Sequence, residues 1–216
     1  RALMRANPYQ LVEGVIIAAF ALNARAAFVA VKASFEVEHE AVTRAVREMQ
    51  QAGICSDCEI TVVAGPDEYL FGEEKALLEV IEGRPPMPRL LPPYEHGLFA
   101  NVQLGWEPSS TPGAGQSNPT LVNNVETLSN VPHVLARGAS WHRSMGTARS
   151  PGHVVATVVG DVVAPDVGEV ELGTSLGDVI AVVGSGLGAG RSVKAVFSGV
   201  ANPVIPGDRL DTPLDY

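Results

Sequence analysis

Apolar residues at Leu11, Val12, Val15, Ile16, Ala19 and Leu22 recur three and four apart. That is the spacing of one broad apolar helix face, so residues 3–22 are predicted helical. A short apolar run over 26–31 follows, in which Phe28, Val29 and Val31 favour a strand. Residues 41–49 return to helical spacing, with Arg44, Arg47 and Glu48 on the polar side. Residues 59–63 predict a second strand and 73–82 a third helix. Helix, strand, helix, strand, helix is the order of a parallel α/β layer.

The periodicity then stops. Residues 83–119 hold eight prolines, and an irregular stretch of that length inside a domain is usually functional or disordered. Residues 122–136 have a helical pattern that Pro132 is expected to break or kink. Near Pro151 the composition changes. Short β runs at 154–159, 170–172 and 193–197 alternate with glycine and proline around one helical candidate at 175–183. This order suggests a small α+β module of β-grasp type, with a domain boundary near residue 150.

Composition narrows the class. The chain has 216 residues, 46% of them hydrophobic and 18% charged, which excludes a disordered tail. With 15 basic and 24 acidic residues the formal charge is −9, so a nucleic-acid footprint is not expected. The longest apolar run, 15–22, is far short of the ~20 residues that span a bilayer. No segment reads as a signal peptide. The expected location is the cytoplasm, or the cytoplasmic face of a membrane through a larger complex. Both ends read as cut from a longer chain.

Two motifs are decoys. The run Gly184-Ser185-Gly186-Leu187-Gly188-Ala189-Gly190 follows a helix and precedes a strand, the inverse of a dinucleotide fingerprint, and reads as a surface loop. Cys55-Ser56-Asp57-Cys58 has CxxC spacing, but no second CxxC or paired histidines exist to complete a metal site. No nucleophile elbow, zincin motif or Walker loop is present either.

Two polar segments remain. Tyr69-Leu70-Phe71-Gly72-Glu73-Glu74 opens a predicted helix. Carboxylates there suit the helix dipole, while Gly72 would also admit a flat ring close to the backbone. Leu121-Val122-Asn123-Asn124-Val125-Glu126-Thr127 opens another. Adjacent Asn residues are good caps, and their amides also suit a phosphate or heterocycle. Taken alone, each segment is a cap more often than a site.

Their order along the chain changes the weighing. Pro8-x-x-Leu11-Val12-Glu13-Gly14 comes first, then Tyr69-x-x-Gly72-Glu73-Glu74 and Glu82-Gly83. Pro88-Arg89-Leu90-Leu91-Pro92-Pro93-Tyr94, Gly97-Leu98-Phe99 and Thr120-Leu121-Val122-Asn123-Asn124-Val125-Glu126-Thr127 follow. This set resembles the flavin-bearing, NADH-oxidising 51 kDa-type subunit of respiratory complex I and of NAD-linked hydrogenases and formate dehydrogenases. Residues 152–216, with Ala195-Val196-Phe197-Ser198-Gly199-Val200 and Leu210-Asp211-Thr212-Pro213-Leu214, are similar to the β-grasp (SLBB) domain of the same subunits.

The resemblance implies an α/β fold: a partial Rossmann-like FMN-binding layer over 1–150, then a small α+β β-grasp (SLBB) domain over 151–216. It implies NADH dehydrogenase activity, with hydride passing from NADH to FMN and single electrons on to an iron–sulfur chain. By motif position Tyr69, Gly72, Glu73 and Glu74 would line the flavin pocket, with Glu74 also facing the nicotinamide. Val122, Asn123, Asn124 and Thr127 would contact the flavin and its phosphate-bearing tail. Tyr94 would stack on the NADH adenine. The partners would be other subunits of an electron-transfer complex, including an iron–sulfur subunit, with no direct membrane insertion.

The family's glycine-rich FMN loop would precede Arg1. Its cysteine box for a [4Fe–4S] cluster would follow the β-grasp domain, so Cys55 and Cys58 are not its ligands. Many members have Lys where this chain has Leu91, and the stretch 101–117 is longer than the common form. The fragment is therefore expected to be inactive alone. The alternative is a non-catalytic assembly or ligand-binding platform that keeps the fold.

Overall fold

The structure is a computed structural model and describes residues 1–54, 57–100, 117–199 and 202–215. The CxxC residue Cys55, with Ser56, and almost all of the 101–117 stretch lie outside the described residues. The chain packs as two compact units, Arg1–Pro132 and His133–Tyr216.

In the first unit the predicted 3–22 helix is two helices, α1 (Ala2–Ala6) and α2 (Pro8–Leu22). The break has a local cause. Pro8 disfavours helical geometry in the residue before it, and Asn7 is extended at φ −151°. The Asn7 side chain then accepts from the Gln10 backbone N–H at 3.3 Å, and Pro8 occupies the first helical turn. α2 closes on Asn23 in the left-handed region.

Strand β1 (Ala26–Lys32), helix α3 (Glu36–Gln51) and strand β2 (Glu59–Gly65) follow. The strands pair in parallel from Ala26 opposite Glu59 to Lys32 opposite Gly65, with α3 as the crossover. The parallel layer expected from the sequence is therefore present. Its core joins Leu11, Val12 and Val15 of α2, Val29 and Val31 of β1, and Val42, Ala45, Val46 and Met49 of α3.

α3 begins five residues before the predicted start at 41 because a carboxylate hides in its first turn. Glu38 is fully buried, with Arg1 and Arg5 at 2.6 and 2.9 Å from one oxygen. Burial pushes the Glu38 carboxyl up. Hydrogen bonds from Arg1, from its own backbone N–H and from Arg5 outweigh it, so the net shift is below the ordinary value.

Helices α4 (Glu74–Ile81) and α5 (Val125–Arg137) complete the unit, and the division between the units falls inside α5. Pro132 does not end α5. It cannot donate to the carbonyl of Leu128, and that carbonyl is turned towards α2. A Cβ on Gly14 would lie 1.9 Å from Leu128 O. Gln10 Nε2 donates to the next carbonyl, Ser129 O, at 2.7 Å. Gly14 thus admits the backbone of α5 against α2.

The second unit holds α6 (Ala139–Arg143), the antiparallel pair β3 (His153–Val158) and β4 (Asp166–Glu171), and α7 (Leu176–Val183). A short pair, β5 (Ala195–Val196) and β6 (Ile205–Pro206), follows. Val170, Val179 and Val183 form its core with Val154, Ala156, Val158 and Leu214. The compositional boundary near 150 lies inside this unit. Gly152 N donates to Met145 O, and Leu172 N donates to Gly152 O. These bonds tie the segment before 150 to the end of β4. The glycine run after α7 caps that helix, with Gly184 N and Gly186 N both donating to Ile180 O.

Candidate functional site

The carboxyl ends of parallel strands leave loops and helix starts facing outward, where α/β proteins place ligands. Here Ala33 N donates to Gly65 O at 2.7 Å, and Lys32 Nζ donates to Asp67 O at 2.8 Å. Ser34 Oγ hydrogen-bonds Asp67 Oδ1. The end of β2 is thereby tied to the end of β1, and the chain turns into a 3-10 turn, Tyr69–Gly72.

Phe71 is the buried anchor of that turn. A Cβ on Gly65 would lie 2.0 Å from the Phe71 ring, so the missing side chain makes the ring's seat. Anchoring Phe71 turns its neighbours out. Tyr69 is 87% exposed, and a Cβ on Gly72 would meet nothing within 4 Å. Glu73 is extended and caps α4: its Oε2 accepts from Lys75 N at 3.0 Å and Ala76 N at 2.9 Å. Glu74, in the first turn of α4, is exposed.

Asn124 does at α5 what Glu73 does at α4. Its Oδ1 accepts from Thr127 N at 2.8 Å, so α5 starts at Val125, not at the predicted 122. Asn123, Asn124 and Thr127 are exposed and Val122 is half-buried.

Tyr94 lies on a segment bound to the approach to α5 and to the far end of α4. Glu95 N and His96 N donate to Pro92 O, making a turn that leaves the Tyr94 ring 71% exposed. Thr120 N donates to Pro93 O at 3.0 Å, Gly97 N to Ser117 O at 2.9 Å, and Leu98 N to Thr120 Oγ1 at 2.9 Å. These bonds lay the 92–99 segment beside the residues leading into Val122 and Asn123. A Cβ on Gly97 would lie 1.8 Å from Asn118 O, so only glycine allows the approach. At its other side Glu82 Oε1 accepts from Phe99 N at 2.6 Å, fastening the segment to the end of α4.

Two groups of expected site residues are therefore assembled. Tyr69, Gly72, Glu73 and Glu74 share the turn before α4; Val122, Asn123, Asn124 and Thr127 share the start of α5. Arg89, Gly97 and Gly14 stand within the sequence motifs, where no role was expected of them. The two glycines carried a signal, each lying in a family motif and being followed by an apolar residue.

The two groups and the Tyr94 segment present distinct chemical features. They offer open space over a glycine backbone, two exposed phenol rings, an exposed carboxylate and side-chain amides. By contrast, an apolar cavity of about 280 Å³ in the second unit is lined by Ile180, Ala181, Leu187, Val193, Leu210 and glycines. It brings no hydrogen-bonding side chain to a ligand.

The model of the Nuo51 FMN-binding domain matches residues 1–133. The chain belongs to the Nuo51 FMN-binding family. Among curated relatives, this Nuo51-family chain is 33% identical over 227 residues to an NADH-quinone oxidoreductase subunit of Rhizobium meliloti (strain 1021). That match covers 100% of this chain and 50% of the relative. It is 37% identical over 225 residues to the corresponding NADH-quinone oxidoreductase subunit of Mycobacterium tuberculosis (strain ATCC 25618 / H37Rv), over 99% of this chain and 46% of the relative. Among solved structures it is similar to a chain of an NAD+-reducing [NiFe]-hydrogenase in the H2-reduced state. That similarity has a TM-score of 0.81 and 30% identity, over 99% of this chain and 35% of the other. The chain spans about half the length of the curated relatives it matches. Among the described residues, no helix is long and apolar enough to cross a membrane.

Proposed function

We propose that the chain is part of an NADH dehydrogenase flavoprotein subunit, with residues 1–150 contributing to an FMN and NADH site and 151–216 forming an SLBB-type β-grasp domain. One observation carries the reading: of the expected site residues, Tyr69, Gly72, Glu74, Tyr94, Asn123 and Thr127 are exposed, and only Glu73 and Asn124 are spent on capping helices. When bound, FMN supplies the hydride acceptor for NADH and the release of single electrons to an iron–sulfur chain in partner subunits.

The chain's own residues bind and orient. Gly72 lets a flat ring approach its backbone, and Tyr69 flanks that space. Glu73 holds the start of α4 in place, and Glu74 offers its carboxylate to donors on the nicotinamide side. Asn124 spends its oxygen on Thr127 and keeps its amide nitrogen, with Asn123, Val122 and Thr127, for the flavin and its phosphate-bearing tail. Tyr94 presents a ring for the adenine of NADH. The [4Fe–4S] cluster of the full-length family would be held by residues outside this chain.

The test is an FMN titration followed by flavin fluorescence, on this 216-residue chain and on the full-length protein, together with stopped-flow flavin reduction by NADH. The expected result is binding by the full-length protein and weak or no binding by the 216 residues alone. Glu74→Ala in the full-length protein is expected to slow reduction by about tenfold or more. Arg47→Ala, on the exposed side of α3, is expected to leave the rate unchanged. Binding by neither form would favour a non-catalytic platform, and an unchanged rate in Glu74→Ala would remove its assigned role.

A further inference from the structure

Arg89 sits in the proline-rich run after α4, beside Leu90, which is 94% exposed, yet its own side chain is only 5% exposed. A buried guanidinium has to be paired on every side. On one side, Arg89 Nε hydrogen-bonds Glu79 Oε1, and Nη2 lies 2.5 Å from Glu82 Oε2. Glu79 and Glu82 stand three apart at the end of α4, on one face. On the other side, Nη1 donates to Gly97 O at 3.2 Å and to His96 O at 3.4 Å. Those carbonyls belong to the turn that carries Tyr94. Arg84 binds the same two carboxylates from the solvent side, half-exposed, and completes the charge balance.

We propose that Arg89 is a positioning residue that fastens the Tyr94 turn to the end of α4 and so sets the affinity of the site for a dinucleotide. The inference rests on the reading of Tyr94 as a contact for NADH. With its ring 71% exposed, Tyr94 is placed chiefly by its backbone. That backbone is held on the α4 side by Arg89 and by the Glu82–Phe99 bond. The guanidinium fork reaches two carboxylates and two carbonyls at once, which a lysine ammonium cannot do. Arg89 is remote from Glu74 along α4, a helix of eight residues and so about 12 Å long. Its loss should therefore act on binding and leave the chemical step alone.

The test uses the full-length flavin-loaded protein with Arg89→Gln and Arg89→Lys. Hydrogen exchange of the 92–99 peptide is measured without nucleotide. Stopped-flow reduction over a range of NADH concentrations separates Kd from the limiting rate. The expected result for Arg89→Gln is faster exchange in 92–99, a Kd raised about tenfold and a limiting rate within about twofold. Arg89→Lys should fall between, and Arg84→Gln, which touches no carbonyl of the turn, should change neither exchange nor Kd by more than about twofold. Should Arg89→Gln fail to accumulate, Arg89→Lys carries the same comparison.

Unchanged exchange in 92–99 overturns the proposal, as does a limiting rate that falls as far as Kd rises. Faster exchange with unchanged Kd also overturns it, and Tyr94→Ala then separates the causes. Weaker binding in Tyr94→Ala places the failure with Arg89, and unchanged binding places it with the reading of Tyr94.

Discussion

The carboxylate of Glu73 accepts from the backbone of Lys75 and Ala76, while Glu74, one residue on, is exposed. The two neighbours should therefore separate cleanly under substitution. Glu73→Ala removes a cap and is expected to cost about 1 kcal/mol in urea unfolding of the full-length protein. Glu74→Ala should stay within about 0.5 kcal/mol while carrying the loss in flavin reduction. Equal destabilisation by both would contradict this division. At this scale the sequence offered two readings of each polar segment, cap or ligand. Glu73 and Asn124 cap; Gly72, Glu74 and Asn123 stay open. Arg89 was not legible as a fastener, because its partners Glu79, Glu82, His96 and Gly97 meet it only once the turn has folded back on α4.

At the scale of elements, α2 and α5 approach closely. Gly14 leaves room for the Leu128 carbonyl, and Pro132 leaves that carbonyl without its helical donor. A methyl group at 14 has no space without moving a backbone. Gly14→Ala is expected to destabilise the protein by about 1–3 kcal/mol. It should also weaken FMN binding in the full-length protein, because Asn123, Asn124 and Thr127 ride on the displaced end of α5. Fluorescence titration beside a urea melt checks both, and a stable variant with unaltered FMN affinity would sink this account. The elements of the first unit were largely legible: β1, β2 and α4 lie within two residues of expectation at each end, whereas β4 begins four residues before the expected 170. The single helix over 3–22 was not borne out, and of the break or kink expected at Pro132 no break occurs. Both turn on proline in context, since Pro8 acts through Asn7 before it, and Pro132 is tolerated where α2 packs against its turn.

Across the molecule, folding displaces the titration of the Glu38, Glu79 and Glu82 carboxyls, all downward. For Glu79 the hydrogen bond from Arg84 leads, against burial, with Arg89 adding to it. For Glu82 burial opposes, and hydrogen bonds from Arg89 and the Phe99 N–H outweigh it. A carboxyl lowered by folding contributes stability that is present above its unfolded value and is lost as pH falls through its folded value. The urea midpoint should thus hold from about pH 7 down to about pH 5 and fall as the pH drops below the ordinary carboxyl value of 4.5. A midpoint unchanged well below that value would contradict the pairing. At this scale the parallel layer was readable because its crossover is local in sequence. The packing division at Pro132 was not, because it lies inside a helix and depends on bonds from residues before 150 to the end of β4.

The ring of Phe71 and the absent side chain of Gly65 occupy one volume between them. Inheritance therefore acts on the pair. Across related chains, a larger residue at 65 should be found only where 71 has shrunk, and the order of change is constrained, with 71 giving way first.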